Sequence, residues 1–167
     1  MWDDVSIKTY EGRQMNKKLF SIGLAVVLGA AYSLTAFSQV KPETLVKQRQ
    51  AAMTLQGKYF YVQLRPMAQG KSPYDANVVA RDAGYLEALT KMPWDGFTPA
   101  TKDVKSAALP VVFTDTAKFK EAQDRLQSEV AKLVSVSKSG DEAAVKAQIG
   151  AVDKACGGCH ETFREKQ

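Results

Sequence analysis

The chain contains two cysteines and one histidine, and all three fall within five consecutive residues, Cys156-Gly157-Gly158-Cys159-His160. This is the C-x-x-C-H pattern of covalent c-type haem attachment. Two thiols must reach the two vinyl groups on one edge of the porphyrin, and the imidazole that follows must ligate the iron from one face. On a helix, residues three and four apart project from one side, so Cys156, Cys159 and His160 share a face. Against a chance cluster stands the absence of cysteine and histidine anywhere else in the chain. The competing use of C-x-x-C is a thioredoxin-like redox pair, which needs the cysteines at the start of a helix after a strand. Here they lie near the C-terminus of a chain that reads as helical throughout. With His160 in one axial position, no second histidine is left for the other.

Four helical segments must position this pentad. The first is expected over 42–67, with Pro42 in its first turn and Glu43 near the positive end of the dipole. Its apolar residues Leu45, Ala52, Met53, Phe60, Leu64 and Met67 recur at helical spacing, and Gly70 is a stop signal. The second is expected over 75–91, after the turn Ser72-Pro73-Tyr74-Asp75, with Val78, Val79, Ala83, Leu86 and Leu89 on one stripe. Residues 92–115 carry four prolines and glycines and read as irregular. Trp94, Phe97 and Phe113 give this stretch apolar anchors, so it is expected to be an ordered lid. The third helix is expected over 116–137, capped by Thr114 or Asp115, and the fourth over 141–164 after the turn Ser139-Gly140-Asp141. No strand pattern is present. The expected fold is all-α, an antiparallel up-down-up-down four-helix bundle with the haem in its core near the end of the fourth helix.

Residues 15–38 read as a secretory signal peptide: Lys17 and Lys18 follow Met15, an uncharged apolar stretch runs from Leu19 to Phe37, and Ala36 and Ser38 are the small residues that cleavage requires. A transmembrane anchor is the alternative, disfavoured by Gly23, Gly29, Ser33 and Thr35 within the stretch. Cleavage would leave a domain over 39–167. Residues 1–14 are polar and mixed and read as an extension upstream of a true start at Met15. Export fits the oxidising bacterial periplasm, where c-type haem is attached. The chain has 23 Lys and Arg against 18 Asp and Glu, a net charge of +5. The charges form no block and do not interleave with aromatics, so nucleic-acid binding is not indicated.

The whole of 39–167 resembles cytochrome c′, a family of c-type cytochromes and itself a standing example of the four-helix bundle. The resemblance rests on Lys41-Pro42-Glu43, Arg49-Gln50-Ala51-Ala52-Met53, Pro73-Tyr74-Asp75, Pro93-Trp94, Thr114-Asp115, and the C-terminal pentad with Phe163 and Arg164 behind it. It implies one covalent haem c held by thioethers at Cys156 and Cys159, with His160 as proximal iron ligand. It implies that Arg164 shapes the proximal pocket, that Phe163 packs beside the haem, and that Arg49 and Gln50 lie near the propionates. Residues 101–108 should approach the haem edge. The resemblance also implies a homodimer formed through the first two helices, for which Tyr59, Tyr61 and Val62 would suit an outer face.

Met53 falls where the family places the residue facing the distal side of the iron, and two readings compete. Either Met53 only packs against the porphyrin, leaving a five-coordinate high-spin iron open to nitric oxide and carbon monoxide, or its sulfur ligates the iron and makes a low-spin His/Met electron carrier. The first is preferred, because Pro93-Trp94 and the Phe97, Pro99 and Thr101 pattern look more like the high-spin branch. A buried core-filling role for Met53 would agree with it. A distal stripe of Met53 and alanines offers dioxygen no hydrogen-bond donor, and it lacks the acid–base group that a peroxidase or reductase needs. The expectation is therefore a periplasmic gas-binding and electron-transferring protein, with an electron-transfer partner in the same compartment, and no enzyme.

Overall fold

Aspartates start three of the long helices. In this computed structural model, which describes residues 40–166, the Asp75 carboxylate accepts from the backbone N–H of Asn77 and Val78 at 2.9 and 3.1 Å and opens the helix Ala76–Leu89. Asp115 accepts from Lys118 N–H at 3.2 Å and opens Thr116–Val136, and Asp141 accepts from Ala144 N–H at 3.0 Å and opens Glu142–Phe163. Each carboxylate satisfies helix donors that otherwise have no partner and sits at the positive end of the dipole. Asp115, not Thr114, is thus the cap of the third bundle helix. The expected extension at 1–14 and signal peptide at 15–38 lie outside the described residues.

In chain order, the elements are α1 (Pro42–Gly57), a π-helical segment (Lys58–Leu64), α2 (Arg65–Ala68), α3 (Ala76–Leu89), α4 (Val111–Thr114), α5 (Thr116–Val136) and α6 (Glu142–Phe163). The first three run on without interruption and form the first rod of an antiparallel four-helix bundle with α3, α5 and α6. Gly70 and Gly140 take positive φ, +69° and +76°, in the turns after the first and third rods. A side chain there would be strained, which is the reason for glycine.

The π segment was not foreseen, and the apolar spacing explains it. Ala52, Gln56, Phe60 and Leu64 follow one another at steps of four. On a 3.6-residue helix such a row drifts by about 40° per step and would leave the core within three steps. Wider π turns reverse the drift. Phe60 and Leu64 are thereby kept 2% and 0% exposed, in one cluster with Met67, Val79, Leu86, Val130, Leu133, Val145, Ile149 and Val152.

The connection after α3 is ordered, as expected, but it is more regular than its prolines suggested. Short 3₁₀ turns form at Trp94–Gly96 and Pro99–Thr101, and α4 follows. The Trp94 indole donates to Thr90 O at 2.5 Å. Further on, Leu109 N–H donates to Phe163 O at 3.0 Å and Glu165 N–H to Ala107 O at 2.8 Å, an isolated antiparallel bridge between Ala108 and Arg164. The lid is tied in this way to the end of α6, directly after the pentad. Among the described residues no helix is long and apolar enough to cross a membrane.

Candidate haem site

All eight residues singled out from the sequence line one cavity of about 600 Å³: Arg49, Gln50 and Met53 from α1, and Cys156, Cys159, His160, Phe163 and Arg164 from the end of α6 and its cap. The volume is that of a small-molecule or cofactor pocket. Three further elements close it. The lid contributes Trp94, Phe97, Ser106, Ala107 and Ala108, α3 contributes Leu86, and α5 contributes Phe119, Leu126 and Val130. Phe60, Leu86, Leu126, Val130 and Val152 belong both to the cavity and to the core cluster, so the floor of the site is the upper layer of the core.

One helix places the three reactive groups. Cys156 and Cys159 are free thiols, and with His160 they are half-buried side chains on the last turns of α6. Burial and the nearby Arg164 hold the His160 imidazolium below its ordinary range, which favours the neutral imidazole that binds a metal. Burial, the negative charge of Asp153 and the neighbouring Cys159 push the Cys156 thiol up to about 12, and burial also raises Cys159. Both are therefore protonated at neutral pH, the state that adds across a vinyl group as an intact S–H. An apolar, ring-lined cavity with two thiols and a neutral imidazole on one wall fits a covalently attached porphyrin with a single protein nitrogen on its iron.

Aromatic rings line the side between lid and α6. Trp94 stacks on Phe97 at 6.2 Å, and Phe119 stands edge-on to Trp94, Phe97 and Phe163 at 5.8, 4.9 and 5.1 Å. These separations are those of favourable aromatic pairs. Phe163 is consequently 6% exposed and fixed behind His160.

Arg49 was expected beside an anion. In the lid its guanidinium donates to three neutral oxygens. Arg49 is 3% exposed, and it donates to Gly96 O at 2.5 Å, to Thr101 Oγ1 at 3.3 Å and to Ser106 Oγ at 2.9 Å, with its guanidinium 4.1 Å from the Phe97 ring centre. It clasps the lid onto α1. Gly96 is required for that approach, because a Cβ there would stand 2.9 Å from Arg49 Cβ and from Leu45 O. Of the stretch 101–108, Ser106, Ala107 and Ala108 reach the cavity, while Thr101 serves the clasp.

Met53 is 37% exposed and stands on the cavity wall. That wall is not only Met53 and alanines, for Thr54, Gln56 and Tyr61 join it. Thr54 donates to Gln50 O at 2.9 Å and Gln56 donates to Leu89 O at 3.0 Å, so both side chains are committed to backbone oxygens. Tyr61 was read from the sequence as an outer-face residue. It is 37% exposed, and the π segment also brings it to this wall.

A family model described as Cytochrome C′ matches residues 44–164. The cytochrome c′ of Rubrivivax gelatinosus is 41% identical over 127 residues, covering 75% of this chain and 98% of that protein, and the cytochrome c′ of Alcaligenes xylosoxydans is 35% identical with 98% of its length covered. The crystal structure of the Rubrivivax protein superposes with a TM-score of 0.72 over 98% of its length at 39% identity. A nitric oxide complex of a mutant Alcaligenes cytochrome c prime superposes with a TM-score of 0.71 at 34% identity.

Proposed function

The chain belongs to the cytochrome c′ family, and from that premise we propose that it is a periplasmic haem protein whose five-coordinate, high-spin iron binds nitric oxide and carbon monoxide and passes electrons. The family carries covalent haem c. Cys156 and Cys159 would hold it through thioethers, His160 would ligate the iron, Phe163 and Arg164 would border that ligand, and Arg49 and Gln50 would border the propionate edge. Bound there, the haem supplies one iron with an open coordination position and a ferric/ferrous couple.

The observation that carries the gas-binding reading is the likeness, over 98% of their length, to proteins solved with nitric oxide bound. The site itself supports it. Met53 offers the cavity an apolar, partly exposed surface, and the amide of Gln56 and hydroxyl of Thr54 are turned to backbone oxygens. At Met53 a small ligand would then meet apolar atoms, which favours nitric oxide and carbon monoxide over dioxygen. No carboxylate is among the residues lining this cavity, which speaks for binding and electron transfer rather than for turnover that requires an acid–base group. Val62 is 71% exposed on the first rod and Tyr85 46% on α3, which supports self-association of these two faces into a homodimer.

Optical spectra of the ferric and ferrous protein, with and without carbon monoxide, test the proposal. High-spin bands, ready carbon monoxide binding and an unchanged spectrum in Met53→Ala are expected. A sulfur-to-iron charge-transfer band that disappears in Met53→Ala would establish the low-spin His160/Met53 alternative instead. Export to the periplasm predicts a secreted protein whose N-terminal residue is Gln39.

A further inference from the structure

No carboxylate occurs between Thr44 and Tyr74 along the first rod, while Lys47, Arg49, Lys58, Arg65 and Lys71 all fall in that stretch. The third rod treats its cations differently. On α5 every lysine and arginine is paired within about one turn: Lys118 with Asp115, Lys120 with Asp124, Arg125 with Glu121 and Lys132 with Glu129. Among the described residues, only Arg65 of the first rod has a carboxylate partner, Asp153. Arg49 donates to neutral oxygens, and the Lys58 ammonium lies 5.2 Å from the Tyr59 ring centre. Glu43 and Asp103 share a groove on the lid side with Lys47 and Lys105, yet Asp103 pairs with Lys102 at 4.0 Å and neither carboxylate forms an ion pair with Lys47.

The placement of the two lysines is specific. Lys47, Gln50, Thr54 and Lys58 follow one another at steps of three, four and four, which puts them on one face of the helix. Gln50, Met53 and Thr54 are exposed and also line the haem cavity. The cavity therefore reaches the surface along this row, between two exposed lysines. We propose that the row is a docking surface for an acidic redox protein, which exchanges one electron with the haem through the cavity mouth. This rests on the electron-transfer reading. One electron leaves the partner's reduced group and reduces ferric iron, or passes the other way, and no atom is transferred. Charge of one sign around a cleft speeds encounter with an oppositely charged partner and suppresses like-charged ones. A second copy is the poorer occupant, because two such rows face to face would set lysine against lysine.

The test follows reduction of the ferric, haem-loaded protein by time-resolved absorption with two donors. One is flavodoxin hydroquinone, an acidic protein, and the other is lumiflavin semiquinone, which is small and uncharged. Lys47→Gln with Lys58→Gln is compared with Lys120→Gln with Lys132→Gln, which removes the same charge from the rod that packs on α3 and α6. At low ionic strength the first pair is expected to slow flavodoxin by about tenfold, and the second to leave it nearly unchanged. The difference should vanish as salt rises, and lumiflavin should reduce all three proteins alike. Carbodiimide coupling, which joins lysines to carboxylates, is expected to link flavodoxin to Lys47 or Lys58. Equal slowing by both pairs, equal slowing of lumiflavin, cross-links confined to other lysines, or a dimer that dissociates on substitution of the first pair would each overturn the proposal. A protein that lumiflavin does not reduce would end the electron-transfer reading itself, and this proposal with it.

Discussion

The same four rods build two halves of the bundle in different ways. In the half that contains Leu64, Met67, Val79, Leu133, Val145 and Ile149, side chains meet directly and none exceeds 9% exposure. In the other half, the rods stand around a cavity of about 600 Å³, and its walls mix fully buried residues such as Val130 with a 37%-exposed Met53 and half-buried thiols. Close packing stabilises the first half, where each methylene contributes about 0.8 kcal/mol on burial. The second half is organised by specific contacts instead: the Arg49 clasp, the aromatic stack and the bridge from Ala108 to Arg164. The closed half therefore holds the rods at a fixed separation, and the open half uses that separation to take a prosthetic group.

The largest expected effects separate the two halves outright. Replacing Cys156 and Cys159 together with alanine should abolish covalent haem retention, read as complete extraction of pigment into acidified acetone and loss of the haem mass from the polypeptide. Helical circular dichroism should survive, because Cys156 only packs against the edge of the core cluster and Cys159 is not part of it. Leu133→Ala should do the reverse. Leu133 is 0% exposed, and such truncations cost about 2–5 kcal/mol through lost burial and a residual cavity. Denaturant midpoints should fall accordingly, while the optical spectrum of the folded fraction stays the same. A Leu133→Ala protein with normal stability but an altered haem spectrum would show that the two halves are not separable in this way.

How much of this was legible in advance depended on the range of the interaction concerned. The starts of α3, α5 and α6 could be read because an aspartate cap acts within three residues of itself. The pentad could be read because its chemistry is confined to one turn of helix. The π segment could not, since it answers to a core row that only the assembled bundle defines. Arg49 was recognised as a charge on an apolar face, but its partners Gly96, Thr101 and Ser106 lie 47, 52 and 57 positions away. Spacing along the chain gives no account of that pairing. Tyr61 was grouped with Tyr59 and Val62 on an outer face, and its place on the cavity wall depends on the same π segment.

An intermediate effect probes the boundary between the halves. Arg49→Met keeps much of the side-chain volume but removes the donors that hold Gly96 O and Ser106 Oγ. Gly96 O keeps its bond from Thr101 Oγ1, and the lost bonds from a charged donor cost about 1.5–3 kcal/mol each. The loss should fall on the lid, so proteolysis between residues 96 and 108 should accelerate more than global unfolding does. Gly96→Ala should act in the same direction, because its new methyl would stand against Leu45 O and Arg49 Cβ. If both variants unfold globally with no preferential cleavage of the lid, then the lid belongs to the closed half's cooperative unit.

The smallest effect lies in the seam between α5 and α6, which runs through both halves. The Glu129 carboxylate pairs with Lys132 at 2.7 Å and accepts from the Gln148 amide at 2.7 Å, and the same amide donates to Glu129 O at 2.9 Å. The bonds from Lys132 and Gln148, in that order, hold the Glu129 carboxyl below the usual range, against a smaller opposing effect of burial. A carboxyl with a depressed folded pKa stabilises the native state above its unfolded value, about 4.3, and the contribution disappears as pH falls through the folded value. Because solvent screens this seam, Glu129→Gln should cost only about 0.2–1 kcal/mol at pH 7. The gap between the variant and the unsubstituted protein should then close as pH drops below about 4.3. A gap that stays constant from pH 7 to pH 3 would assign the effect to the Gln148 amide and the helix backbone, leaving the carboxylate charge without a role in joining the halves.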